Sequence, residues 1–210
     1  MVQNNGSAPT RRGRPRAYNP QTALQLATDR FWRGGYSGTS LDQLCAETGM
    51  NRPSLYAAFG DKHTLYLKAL EGYWQLSLKA IREALADDGK PLKEALLRAY
   101  DAQLAIYFAG DESPRGCFVI GTAITEAVED VEIRNSLAAG LAMLDADFEV
   151  RLQVAHERGE LQAGADPTAL ATLASAVLHT IAIRARAGIP RVELREIARK
   201  AVNVICGLQS

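Results

Sequence analysis

Apolar positions recur at helical spacing along most of the chain, and no stretch reads convincingly as a strand. The first periodic stretch follows Asn19-Pro20, an N-cap residue ahead of a proline suited to the first helical position. Leu24, Ala27 and Phe31 share one face of it, and Gly34-Gly35 ends it. Ser40-Leu41-Asp42-Gln43 has the form of a capping box and starts a short helix that Gly49 stops after Thr48. Asn51 caps a second short helix, Arg52 to about Phe59, closed by Gly60. Asp61 caps a fourth that continues through Leu65, Leu70 and Trp74 towards Leu85.

The later periods are longer. Pro91 to about Ala109 places Leu92, Leu96, Ala99, Gln103 and Ile106 along one side, before a loop from Gly110 to Pro114. Further helices are predicted from Cys117 to about Val128 and from Val131 to Arg158. Asp166 caps another to about Ala187, and Gly188-Ile189-Pro190 separates it from a last one, Val192 to Gly207. The prediction is an all-α protein of about nine helices without internal repeats. Abundant Ala and Leu, with few aromatic and β-branched residues, agree with it. With 210 residues the chain is long enough to bury a core without metal or disulfide staples.

Charge changes the picture. The 24 basic and 24 acidic side chains cancel overall, yet residues 1–70 carry nine Lys/Arg against four Asp/Glu. Arg11, Arg12, Arg14 and Arg16 lie in the first 16 residues, which hold no acid and are rich in Gly, Pro, Asn and Ser. We read residues 1–16 as a basic arm and expect only this end of the molecule to meet a polyanion.

The two short helices around Thr48-Gly49-Met50 carry the functional signal. Gly49 suits a tight turn between helices packed across one another. Leu41, Leu44 and Cys45 give the first an apolar stripe, and Leu55 and Phe59 do so for the second. Left outward are Arg52, Pro53, Ser54, Tyr56 and Ala57. Such side chains at a helix N-terminus suit entry into a major groove.

Gly38-Thr39-Ser40-Leu41, followed by Thr48 through Lys62 (TGMNRPSLYAAFGDK), resembles the DNA-binding domain of the tetracycline-repressor (TetR) family of transcriptional regulators. Phe31-Trp32-Arg33-Gly34-Gly35-Tyr36 is similar to the end of that family's first helix, and Arg12-Gly13-Arg14-Pro15-Arg16 to its usual N-terminal extension. Further on, Arg115-Gly116-Cys117-Phe118 and Ala123-Ile124-Thr125-Glu126-Ala127 resemble one branch of the family. The resemblance implies a recognition helix from Arg52 to Phe59, with Thr39, Ser40, Tyr56 and Lys62 on phosphates. With Arg14, Arg16, Arg52, Pro53 and Ser54 these make up the expected DNA contacts. It also implies a homodimer, a helix-turn-helix domain over residues 17–65, and a ligand-binding and dimerisation bundle over residues 66–210. Leu170, Leu173, Val177 and Ile181, an apolar stripe near the C-terminus, are the expected dimer contacts.

The bundle is expected to hold a small apolar effector among Trp74, Tyr100, Gln103, Leu104, Tyr107, Phe108, Phe118, Ile120, Ile124, Met143 and His179. The expected partners are therefore operator DNA, an effector and a second copy. Nucleotide-binding, hydrolase and metalloprotease motifs are missing from the sequence, and His63, His156 and His179 stand alone. No enzyme, cofactor or metal site is expected. Cys45, Cys117 and Cys206 form no metal or disulfide spacing, although Cys117 at a helix start beside Arg115 has the setting of a lowered thiol pKa. Residues 1–10 lack an apolar leader, and the run from Pro167 to Ile183 reads as too short and polar to span a membrane, so a cytoplasmic protein is expected. A helical interaction module without a DNA role fits the same periodicity, and failure to bind any DNA fragment would mark it.

Overall fold

The computed structural model describes residues 19–109 and 114–208. Among them the helices are α1 (Pro20–Gly34), α2 (Leu41–Thr48), α3 (Arg52–Phe59), α4 (Lys62–Leu85), α5 (Leu92–Tyr107), α6 (Phe118–Thr122), α7 (Val131–Glu157), α8 (Pro167–Arg186) and α9 (Arg191–Ile205), with a 3-10 turn at Glu126–Val128 between α6 and α7.

Local chemistry sets most boundaries. The side chains of Asn19, Asn51 and Asp61 accept from free backbone N–H groups at the starts of α1, α3 and α4. Ser40 and Gln43 satisfy each other's backbone donors in a complete capping box at α2. Gly49 takes the left-handed conformation (φ 66°, ψ 14°) that the turn between α2 and α3 requires. One boundary differs from expectation. The helix anticipated from Cys117 to Val128 stops at Thr122 and resumes only as the 3-10 turn. The Thr122 hydroxyl bonds back to the Phe118 carbonyl (2.8 Å) and lies 2.7 Å from the Tyr66 hydroxyl, so tertiary contacts fix this residue where the helix ends.

Helices α1 to α3 close over Ala23, Ala27, Phe31, Leu44, Leu55, Phe59 and Leu65, all buried. The domain boundary anticipated at residue 65 falls inside α4, which runs unbroken from the small N-terminal unit into the bundle. There α4 packs on α5 and α7, α7 on α8, and α8 on α9, which returns to α5. Between the two regions lies an aromatic cluster. Phe31 meets Tyr66 at 5.1 Å between ring centroids, Trp32 meets Tyr73 at 5.2 Å and Phe118 at 5.5 Å, and Tyr66 meets Phe118 at 5.9 Å. Edge-on and tilted pairs of this kind favour one relative placement of the parts they join.

Helix α8 has the expected extent but is more apolar than the sequence reading allowed: an 18-residue window has a mean hydropathy of 1.4, enough by length and composition for a membrane span. Ala171, Ala174, Leu178, Ile181, Ala182 and Ala185 are nevertheless buried within the bundle, so α8 is a core helix here.

Candidate DNA interface and effector cavity

The outer surface of α3 presents Arg52, Pro53, Tyr56 and Ala57, all exposed, with Ser54 half-buried at its start. Pro53 sits in the first turn, where its missing N–H costs nothing. Arg52 is held rather than free: its Nε and Nη2 donate to Asp42 Oδ1 at 3.2 and 2.8 Å, bridging α2 and α3. That hydrogen bond, reinforced by the charge on Asp42, raises the Arg52 pKa further above its already high value. Tyr56 is 44% exposed, with its ring on the surface.

Ser40 Oγ accepts from the Gln43 N–H as the α2 cap, and among the described residues its own proton has no acceptor. Lys62 opens α4 with its ammonium 4.3 Å from the centre of the Tyr36 ring, and partial burial lowers its pKa. Thr39 corrects the expectation. It is fully buried, and its hydroxyl donates to the Gly35 carbonyl at 2.7 Å, so the side chain holds the end of α1 and presents nothing to DNA. Arg14 and Arg16 lie outside the described residues.

A cavity of about 320 Å³ opens in the bundle between α4, α5, α6, α7 and α8. Six of the expected residues line it: Trp74, Gln103, Tyr107, Ile120, Ile124 and His179. Five do not. Tyr100 and Leu104 point into the core on the other side of α5, where the Tyr100 hydroxyl donates to the Ala174 carbonyl at 3.0 Å. Phe118 belongs to the aromatic cluster, Phe108 packs at the end of α5, and Met143 is 42% exposed on the outer face of α7. The reading missed Tyr73, Ser77, Cys117, Val119, Leu178 and Ile183, and an α7 stripe of Leu137, Leu141 and Leu144. Those three leucines fall at i, i+4 and i+7, so the stripe was present in the sequence.

Most polar groups in the wall are already partnered. The Gln103 amide accepts from Ser77 Oγ and donates to the Ser77 carbonyl, each at 3.0 Å. Tyr73 donates to Cys117 Sγ at 3.1 Å. Burial pushes the Cys117 thiol up, opposite to the lowered pKa anticipated from its helix-start position. The cation expected to activate it is engaged elsewhere: Arg115 pairs with Asp29 at 2.6 Å and stacks on Trp32 at 4.5 Å. Burial likewise lowers the pKa of His179 below its usual value, keeping the imidazole neutral at pH 7.

Residues 115–130 connect the two regions. Cys117, Val119, Ile120 and Ile124 face the cavity, while Arg115 grips Asp29 of α1. Glu126 accepts from the Ser37 backbone N–H and hydroxyl at 3.3 and 2.9 Å, and Asp130 pairs with His63 of α4 at 2.6 Å.

Among the expected dimer contacts, Leu173 is 43% exposed and Leu170 half-buried on α8. Val177 (8% exposed) and Ile181 (0%) are packed inside the chain's own core and cannot form the centre of an interface. Leu173, Ala176, Thr180 and Ile183 share the outward face instead.

A helix-turn-helix unit set on an all-α bundle is the architecture of a DNA-binding regulator, and here the bundle also holds an apolar cavity. The model of bacterial regulatory proteins of the tetR family matches residues 23–69, and that of a tetracyclin repressor-like C-terminal domain matches residues 93–201. The HTH-type transcriptional repressor ComR of Escherichia coli (strain K12) is 33% identical over 89% of this chain and 89% of its own. A cysteine-substituted form of the TetR family regulator CifR, solved with 26-base-pair double-strand operator DNA, is 34% identical, covers 91% of this chain and 98% of its own, and superposes with a TM-score of 0.81. The chain belongs to the tetR family of bacterial regulatory proteins. It is a DNA-binding regulator. Among the described residues no cluster of His, Cys, Asp and Glu is placed to hold a metal ion.

Proposed function

We propose that the protein is a homodimeric cytoplasmic repressor, with residues 17–65 reading DNA and residues 66–210 binding effector and partner subunit. Two copies of α3 would enter successive major grooves of a palindromic operator, roughly 34–36 Å apart. The contacts proposed are Arg52, Pro53, Ser54 and Tyr56 from α3, Ser40 and Lys62 at helix starts, and Arg14 and Arg16 from the N-terminal arm. The relatives support the repressor reading: ComR carries that description, and CifR is seen on operator DNA.

The observation that carries the regulatory part is the segment from Arg115 to Asp130, which walls the cavity on one side and grips α1, the Ser37 loop and α4 on the other. An effector in the cavity favours a placement of this segment in which the two heads no longer fit both half-sites. Linkage then requires operator DNA to weaken effector binding by the same factor as effector weakens operator binding. The test is selection of binding sites from random DNA with the purified protein. Calorimetry of a candidate effector follows, with and without the selected duplex. Recovery of no preferred sequence overturns the DNA reading, and equal effector affinities in both conditions exclude that compound as inducer.

A further inference from the structure

Resting on the reading of the cavity as the effector site, we propose that it selects uncharged, largely apolar ligands bearing a hydrogen-bond acceptor and rejects their anionic isosteres. Among the described residues that line it there is no Asp, Glu, Lys or Arg. The one titratable imidazole, His179, is kept neutral by burial, so a carboxylate or phosphate would enter without a counter-charge and lose its hydration.

The polar part of the selection comes from what the wall leaves unpaired. Ser77 and Gln103 bond to each other, and the Tyr73 hydroxyl gives its proton to Cys117. Two buried nitrogens on wall residues have no partner among the described residues: Trp74 Nε1 and His179 Nε2. The indole, 8% exposed, is a donor only, so its partner must accept. A neutral imidazole offers either a donor or an acceptor at Nε2 and adds no charge requirement. A carbonyl or ether on an apolar frame meets these terms.

The experiment is equilibrium dialysis of the full-length protein without DNA, at neutral pH, against three probes of similar shape. They are 2-acetylnaphthalene (neutral, with an acceptor), 2-naphthoate (anionic) and 2-ethylnaphthalene (neutral, without an acceptor). The ketone should bind at least about tenfold more tightly than the carboxylate. Trp74→Phe, which keeps an aromatic ring, should weaken the ketone about 2–10-fold, the range of one net hydrogen bond, and leave the hydrocarbon within about twofold. Equal or tighter binding of 2-naphthoate overturns the proposal. So does failure of all three to saturate the protein, or equal loss of ketone and hydrocarbon in a Trp74→Phe protein that melts like the parent. Repeating the ketone titration with operator DNA separates the two readings. The predicted order of probes with no effect of DNA leaves the selectivity standing and removes only the regulatory role.

Discussion

At the scale of single residues, similar side chains at the candidate DNA surface divide by what already holds them. Thr39 and Ser40 are adjacent hydroxyls, yet one is fully buried on the Gly35 carbonyl and the other caps α2 at the surface. Thr39→Val should therefore cost about 1 kcal/mol of stability in urea unfolding, the worth of one hydrogen bond. It should leave operator affinity unchanged at a fixed salt concentration; a loss of about tenfold in a variant that stays folded would restore Thr39 as a phosphate contact. Arg52 poses the opposite case, an exposed cation tethered by Asp42. Arg52→Ala should lose about 1–3 kcal/mol of discrimination at one base position. Asp42→Ala, which frees the guanidinium, should instead raise affinity for random DNA. Competition binding with single-base operator variants distinguishes these outcomes from a shared, sequence-independent loss, which would make Arg52 a phosphate contact only. Residue types and spacing put Ser40, Arg52 and Tyr56 on the surface correctly. Thr39, expected on a phosphate, is instead buried, and nothing in the spacing showed that Asp42 would hold Arg52; both roles arise from how the end of α1 and the turn of α2 onto α3 fold back.

At the scale of elements, helices were legible wherever caps and periodicity agreed, as at Ser40, Asn51 and Asp61. They were not legible where a tertiary contact decided the matter, as at Thr122 against Tyr66. The same division explains the cavity. Period placed Trp74, Gln103 and Tyr107 on inward faces, but only packing shows that Tyr100 and Leu104 face the core behind α5 while Tyr73 and Ser77 face the cavity. Gly140 in the middle of α7 is such a packing signal. A glycine there costs its helix about 1 kcal/mol relative to alanine. It is needed because a Cβ would stand only 2.1 Å from Cε2 of the Trp74 indole. Gly140→Ala must shift that ring, and the adjoining free volume is the cavity. Overpacking of about 1–3 kcal/mol should offset the gain in helix propensity, giving a protein of similar or slightly lower stability. Affinity for 2-acetylnaphthalene should fall at least about tenfold. Unchanged binding would show that the indole yields in another direction.

At the scale of the whole molecule, two properties depend on more than one copy or region. The first is the proposed dimerisation through α8. Val177 and Ile181 lie inside the subunit, so a charge there would unfold the chain and report nothing about the interface. Leu173, 43% exposed, is the informative position. Leu173→Asp should leave the melting of the isolated subunit intact, convert dimers to monomers in sedimentation velocity, and weaken operator binding by about 10²–10⁴, the avidity of two linked heads. A folded dimer would move the interface off this face. The second property is the attraction to DNA itself. Within residues 19–70 five basic side chains face four acidic ones. Arg33 is paired with Glu47 at 2.6 Å, Arg52 with Asp42 at 2.8 Å, and Lys62 lies against Tyr36. The folded head over residues 19–70 therefore carries a net charge of only +1, although Arg30, Lys62 and Lys68 form no ion pair among the described residues. The excess that distinguishes this end of the chain resides in Arg11, Arg12, Arg14 and Arg16. Each arginine that releases a counterion contributes about 0.9 to the slope of log affinity against log salt. Deleting residues 1–16 should accordingly lower that slope by about 3–4 units per head and weaken random and operator DNA alike, while the order of preference among major-groove variants survives. A fall of less than about one unit would leave the arm without an electrostatic part in binding and assign the salt-dependent contacts to cations of the folded head such as Lys62.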